Sequence, residues 1–360
     1  MRAFRLFMTA TLLLRRHAGS IHTPSSPLVS VLSLEALRLH RAYGESTRQE
    51  VIRRLQELAP NSPPERTRQD VDNFYIPLYC HVSDLLRRHR EADTRPAGPL
   101  TVGISAPQGC GKTTMTGLLE HMFKLDNKRC ISFSLDDFYL TGAAQERLAA
   151  LHSADALLQY RGNAGTHDLD LLFATMKQLR HLHTDRRQVL IPMYDKSLRA
   201  GRGDRAPQSQ WRIIDADKPV DIVLLEGWML GFEPLSDEDV SATSHGAQVA
   251  KINQYLKSYG QLHDLFDAWL IIAVENTDCV YKWRQEGEMN MGLQGKPRLS
   301  DAQIKDFVNR FMPAYHAYLP KLYRQGPRLR SPDVPVLKIL VDERRIPVSC
   351  MILADQGPEV

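Results

Sequence analysis

Residues Ala106, Pro107, Gln108, Gly109, Cys110, Gly111, Lys112, Thr113 and Thr114 gather two glycines, a lysine and paired hydroxyls in nine consecutive positions. Gly109 and Gly111 let the backbone turn its amides inward around phosphate oxygens. Lys112 brings a charge to the β- and γ-phosphates, and the Thr113 hydroxyl is placed to ligate Mg²⁺. This is the Walker A pattern with Ala106 where the first glycine normally stands. All nine residues are candidates for nucleotide binding. The pattern specifies a nucleoside triphosphate and leaves open what is done with it.

Two acidic segments narrow the chemistry. Ser134-Leu135-Asp136-Asp137-Phe138-Tyr139 follows an apolar run. Carboxylates at the C-terminal edge of a parallel sheet face the ligand crevice and can accept a proton from an attacking hydroxyl. An Asp capping the next helix explains either residue equally well. On a continuing extended strand, Asp136 and Asp137 point to opposite faces. Tyr139 then lies away from Asp136, with no catalytic role. The run Asp221–Leu225 ends in Glu226, the Walker B arrangement of a strand terminating in an acid that holds Mg²⁺ or its water. Thr113 and Glu226 are the candidate metal residues.

Between these segments lie Tyr160–Asp168, Pro192–Ser197 and Arg199–Arg205, loops rich in glycine and cations. They suit a small anionic substrate, because arginine forks onto a carboxylate. Candidate substrate residues are Arg161, His167, Asp168, Tyr194, Lys196, Arg202 and Arg205. The carboxylate partner is expected among Arg161, Lys196, Arg202 and Arg205, which the sequence does not rank.

The elements that must position these groups change character along the chain. From Ser33 to about Arg90 the apolar spacing is helical; Val71, Phe74, Tyr75, Leu78, Tyr79, Val82, Leu85 and Leu86 share one face, with a kink expected at Pro77. Beyond Pro99, short strands alternate with helices: Leu100–Ser105, Cys130–Leu135, Asp221–Leu225, Trp269–Val274 and Val336–Val341. The expected fold is α/β, a P-loop NTPase-type doubly wound and mostly parallel sheet of about five strands flanked by helices, with an N-terminal helical extension. A capping box, Ser300 with Gln303, opens a late helix. The expected divisions are a leader over 1–34, the helical extension over 35–95, the P-loop domain over 96–350 and a tail over 351–360.

The leader MRAFRLFMTATLLLRRHAGSIHTPSS has no acidic residue, the pattern of an organelle transit peptide. It carries the whole net charge of +4, with Arg2, Arg5, Arg15 and Arg16 ahead of 42 acidic residues balanced by equal basic ones. A neutral body excludes a generalised nucleic-acid or anionic-membrane binder. Five scattered cysteines without a CxxC pair argue against a disulfide framework and a zinc site.

The strings SAPQGCGKTT, SLDDFYLT, YRGNAGTHDL, PMYDKS, GRGDRA, LLEGWMLGF and YKWR resemble the D-glycerate 3-kinases of the plant and fungal type. The resemblance runs from about Phe74 to about Glu343, within the group of phosphoribulokinase, uridine kinase and pantothenate kinase. It implies ATP and Mg²⁺ as cofactors, D-glycerate as substrate and 3-phosphoglycerate as product, the closing step of photorespiration in the chloroplast. Carried over by motif, Lys112 and Thr113 serve ATP and Mg²⁺, and Asp136 matches the catalytic aspartate of the D-x-F-Y segment, as base, metal residue or both. Glu226 matches the acid after the third strand. Arg284 of YKWR resembles a lid arginine that approaches the transferring phosphate, so Asp136, Lys112 and Arg284 are the expected catalytic set. A monomer is expected. The alternatives are a sibling kinase acting on uridine, pantothenate or ribulose 5-phosphate, and a GTP-driven switch, for which Asn127-Lys128-Arg129-Cys130 lacks the aspartate of a guanine reader. A mitochondrial or cytosolic location is the alternative to the plastid.

Overall fold

Leu100–Ser105 (β1) is buried at all six positions because it lies in the middle of the sheet. The computed structural model describes residues 26–92, 98–185, 187–293, 295, 298–327 and 334–353, so the leader up to position 25 lies outside the described residues. Cys130–Ser134 (β2) follows, then two small antiparallel sheets: Val189–Ile191 (β3) pairs with Arg212–Ile214 (β6), and between them Tyr194–Asp195 (β4) with Asp204–Arg205 (β5). The main sheet is completed by Ile222–Gly227 (β7), Ala268–Val274 (β8), Val336–Val341 (β9) and Pro347–Leu353 (β10).

The strand order is β10-β9-β8-β1-β7-β2. The five expected strands are the parallel ones, and β10 adds a sixth, antiparallel to β9. It lies at the edge of the sheet, buried only at Pro347 and otherwise exposed or half-buried, and it crosses the division expected at 350. The chain steps from β1 outward to β2, returns as β7, then crosses β1 to β8. The crevice at the C-terminal end of β1 is thus the topological switch point. Among the described residues, no helix is long and apolar enough to cross a membrane.

The N-terminal layer comprises helices Leu34–Ala42, Glu45–Leu58, Pro64–Asp70 and Ile76–Glu91. The second buries Val51, Ile52 and Leu55 and lies against the helix Lys112–Leu125 that follows the phosphate loop. Pro77 is not a mid-helix kink. It stands in the first turn of Ile76–Glu91, directly after a π-helical turn over Val71–Tyr75. The Ser26 hydroxyl donates to the Asn73 carbonyl, the acceptor that an amide at position 77 would have used in an uninterrupted α-helix.

That contact corrects the leader boundary at 34. Residues 26–33 belong to the fold: Pro27–Val31 forms a 3₁₀ turn against β10, and Leu28 is fully buried. Ser33 caps the next helix and donates to Asp84 at 2.7 Å.

Candidate active site

The phosphate loop leaves β1 at the buried Ala106, whose amide donates to the Gly227 carbonyl at 3.3 Å. The helix Lys112–Leu125 begins after Gly111, which sits in the left-handed region at φ 94°. The Lys112 ammonium lies inside the loop, donating to the carbonyls of Ala106 and Pro107 at 3.1 Å each. Thr113 is exposed in the first turn of that helix, where the macrodipole favours anions. The Gln108 amide is turned the other way and donates to the Tyr315 hydroxyl at 3.0 Å. Gly109 (φ 82°) must be glycine, since a Cβ there would lie 2.6 Å from Trp283 Cβ.

Glu226 lies at the C-terminal end of β7, in register with Ile104 of β1 and Ser134 of β2. Burial pushes its carboxyl up, while Lys112 draws it down and Asp136 adds to the rise. Its Oε2 is buried with no hydrogen-bond partner.

After β2 the extended backbone stops. Leu135–Phe138 is a 3₁₀ turn closed by a capping box, in which Ser134 and Asp137 bond each other's backbone. Asp137 Oδ2 accepts from the Ser134 amide at 3.1 Å, so Asp137 closes the turn and Asp136 is left to face the other side chains of the site. The turn also overturns the reading of Tyr139. Its hydroxyl donates to Asp136 Oδ1 at 2.8 Å, because three residues of 3₁₀ helix bring positions 136 and 139 to one side. Asp136 Oδ2 meets the Lys196 ammonium at 2.5 Å. Burial works to raise the Asp136 carboxyl, but the Lys196 charge, the Tyr139 hydroxyl and Lys112 prevail and hold it at about 2.

The chemistry of Thr113 and Glu226, a hydroxyl and a carboxylate with available oxygens, fits a magnesium ion, whereas both Asp136 oxygens are engaged by Tyr139 and Lys196. Magnesium keeps several waters and takes one or two protein groups plus phosphate oxygens, so no cage of acids is required. The partnerless Glu226 Oε2 and the exposed Thr113 hydroxyl are the available oxygens.

The three substrate loops converge on Tyr139. Its ring stacks on His167 at 4.6 Å and meets Tyr194 edge-on at 5.3 Å. The Tyr259 oxygen accepts the Gly165 amide at 3.2 Å and lies 2.7 Å from His167 Nδ1. That bond fixes the ring's orientation beside Tyr139. Burial lowers this imidazole to about 4, against the pull of Asp136. His167 Nε2 and the Tyr194 hydroxyl are both buried without partners.

The four cations now separate. Arg205 is committed to Asp168 at 2.7 Å and to the Tyr139 carbonyl at 3.1 Å. Arg161 grips the carbonyls of Gly201 and Arg202 and stands 5.6 Å over the Tyr194 ring. It thereby shapes the turn at Gly203 (φ 80°), where a Cβ would lie 2.5 Å from the Tyr194 ring. Arg202 is exposed, and Lys196 alone of the four contacts Asp136. Arg284 pairs with the buried Glu288 and lies 4.6 Å over the Phe307 ring, one residue from Trp283, which lies against Gly109 of the phosphate loop. Sequence reasoning also missed Arg345, which donates to the Gly109 carbonyl at 2.8 Å from the β9–β10 turn. No spacing rule reaches across that separation, whereas Tyr139 was visible in its motif and needed only the right turn type.

Residues 101–242 match the Phosphoribulokinase / Uridine kinase family. The chain is 41% identical over 281 residues to the chloroplastic D-glycerate 3-kinase of Arabidopsis thaliana, covering 77% of this chain and 60% of that protein's length. It is 34% identical over 275 residues to the uncharacterized kinase mug58 of Schizosaccharomyces pombe, covering 74% of this chain and 97% of the relative. Among solved structures, a D-glycerate 3-kinase from Cryptococcus neoformans matches with TM-score 0.68 at 31% identity, covering 76% of this chain and 96% of that one.

Proposed function

This chain belongs to the Phosphoribulokinase / Uridine kinase family, and from that premise we propose that it transfers the γ-phosphoryl group of ATP to the 3-hydroxyl of D-glycerate. The products are 3-phospho-D-glycerate and ADP. The observation that carries the reading is the position of Asp136, in contact with Lys196 of the substrate loop and within reach of the Lys112 charge of the phosphate loop. One carboxylate thus stands between a phosphate loop and a cationic substrate loop, where an in-line transfer needs an acceptor for the hydroxyl proton.

Lys112 and the loop amides hold the β- and γ-phosphates. Thr113 and Glu226 would hold Mg²⁺, which when bound neutralises charge on those phosphates. Lys196 takes the carboxylate of D-glycerate. As it does so, Asp136 loses the cation that holds it low and becomes a stronger base toward the 3-hydroxyl. His167 Nε2 and the Tyr194 hydroxyl, otherwise unpartnered, orient the substrate's oxygens. Arg284 reaches the transferring phosphoryl only by leaving Glu288, which assigns it to a closed state. The enzyme acts as a monomer in the plastid, in the closing step of photorespiration; this placement rests on the leader's composition and the chloroplastic relative.

Turnover with ATP against D-glycerate, uridine, pantothenate and ribulose 5-phosphate tests the reading. D-glycerate should be phosphorylated far faster than the others, and Lys112→Ala should abolish the reaction. Preference for any other acceptor overturns the substrate, and near-normal kcat in Lys112→Ala overturns the nucleotide site. A fluorescent protein fused to residues 1–34 and found evenly in the cytosol would overturn import.

A further inference from the structure

The turn between β9 and β10 carries one residue in a conformation that costs energy. Arg345 lies at φ 65°, the left-handed region that a long side chain seldom occupies. The turn is held closed from within, since Asp342 Oδ1 accepts the amides of Arg344 and Ile346 at 2.8 Å each. Three other bodies also fasten to it. Arg66 of the N-terminal layer donates to the Arg344 carbonyl at 2.9 Å. Trp283 Nε1, on the helix Cys279–Leu293, donates to the Glu343 carbonyl at 2.7 Å. Arg345 itself reaches the Gly109 carbonyl at 2.8 Å, pairs with Glu286 at 2.8 Å and stands 4.9 Å over the Trp283 ring.

What that guanidinium holds is one peptide plane of the phosphate loop. In a trans peptide the carbonyl and the following N–H point in opposite directions. Fixing the Gly109 oxygen toward Arg345 therefore aims the Cys110 N–H the other way. The structure agrees: the Cys110 amide is directed at the Pro107 carbonyl at 3.4 Å, the same oxygen that the Lys112 ammonium bonds. Glycine at 109 is the residue whose peptide turns over most readily, so an external hold has something to prevent.

We infer that Arg345 is a positioning residue for the phosphate loop, fixing the Gly109–Cys110 peptide so that the turn closed by the Cys110 N–H on the Pro107 carbonyl, which also receives the Lys112 ammonium, keeps its shape around a bound nucleotide. The inference rests on the proposed nucleotide site and adds to it the strained turn of β9–β10, with the N-terminal layer behind it through Arg66.

The test is ADP binding to the full-length protein by calorimetry, with Arg345→Ala, Arg345→Lys and Glu286→Gln. Arg345→Ala should weaken ADP roughly tenfold or more, the usual worth of a hydrogen bond from a charged donor. KM for ATP should rise in parallel while KM for D-glycerate stays within twofold. Arg345→Lys should recover part of the loss, because an ammonium can still donate to the Gly109 carbonyl. Glu286→Gln, which keeps the arginine, should lose less than Arg345→Ala. Unchanged ADP affinity in a folded Arg345→Ala overturns the inference, and so does an equal loss for both substrates accompanied by a lowered Tm. Failure of the unsubstituted protein to bind ADP would instead overturn the nucleotide site.

Discussion

The Tyr139 hydroxyl donates to the Asp136 carboxylate at 2.8 Å, three residues along a 3₁₀ turn that follows the second strand of the sheet. Tyr139 also stacks on His167, so one ring both orients the acid and forms a wall of the substrate pocket. Tyr139→Phe keeps the ring and removes the donor. It should lower kcat by roughly ten- to a hundredfold, the worth of a hydrogen bond to a charged group, with KM for ATP little changed. Steady-state kinetics decide this, and an unaltered kcat would return Tyr139 to a packing role.

The cations of the substrate loops should fail in different ways. Lys196 is more than half exposed and pairs only with Asp136 among the described contacts, so Lys196→Ala should leave the fold intact and raise KM for D-glycerate at least tenfold. Arg205 is mostly buried, bonding Asp168 and the Tyr139 carbonyl. Arg205→Ala strands both acceptors and should cost about 2 kcal/mol of stability. Urea unfolding separates the two: an unstable Lys196→Ala beside a stable Arg205→Ala would reverse the assignment.

The legible parts were those governed by local pattern. Apolar runs gave each parallel strand to within a residue or two, and the run from β1 into Gly109, Gly111 and Lys112 marked the phosphate loop. What escaped depended on a backbone change or on distant residues. The strand reading of Ser134–Tyr139 assumed that extension persists, whereas Ser134 and Asp137 cap a 3₁₀ turn. Leu28 and Ser26 fell within a leader read from its basic, acid-free, hydroxyl-containing composition, although the turn that carries Leu28 lies against β10 and Ser26 meets Asn73. Arg345 meets Gly109 across 236 positions, and only the sheet order brings them together.

Buried histidines set an acid limit on stability. Burial lowers His81 and His167 to about 4 and His263 to about 3, each neutral in the fold. Between those values and the ordinary 6.5 the unfolded chain binds the extra protons. Stability is therefore complete above pH 6.5 and falls as pH drops through this window, by about 1.4 kcal/mol per pH unit for each histidine. Asp70, Asp137 and Glu226, raised by burial, act in the opposite sense. Urea unfolding at pH 7 and pH 5.5 should show the loss, and His263→Gln should remove one proton from the slope. Equal stability at both pH values would mean that these rings are not neutral in the fold.

Truncation should locate the start of the fold. A chain beginning at residue 26 keeps Leu28, the Ser26 contact to Asn73 and the Ser33 cap; one beginning at residue 35 loses all three. The buried leucine is worth about 2–3 kcal/mol and the cap about 1 kcal/mol. The shorter chain should melt several degrees below the longer one. Equal melting temperatures would restore the boundary at 34.

The assignment of the base turns on two adjacent acids that the 3₁₀ turn sends to different tasks. Asp137 closes the turn on the Ser134 amide, and burial raises its carboxyl. Asp136 faces Lys196 and Tyr139 and stays ionised far below neutral pH. Asp136→Asn preserves shape and removes the charge that receives the 3-hydroxyl proton. It should lower kcat by roughly 10²–10⁴ while leaving ADP binding nearly intact. Asp137→Asn can still accept through its amide oxygen, so the turn should persist with a stability loss of about 1 kcal/mol and kcat within tenfold. Single-turnover kinetics and unfolding on the two variants give both numbers. A larger kcat loss in Asp137→Asn than in Asp136→Asn would make Asp137 the proton acceptor, and would require the turn to open when substrate binds.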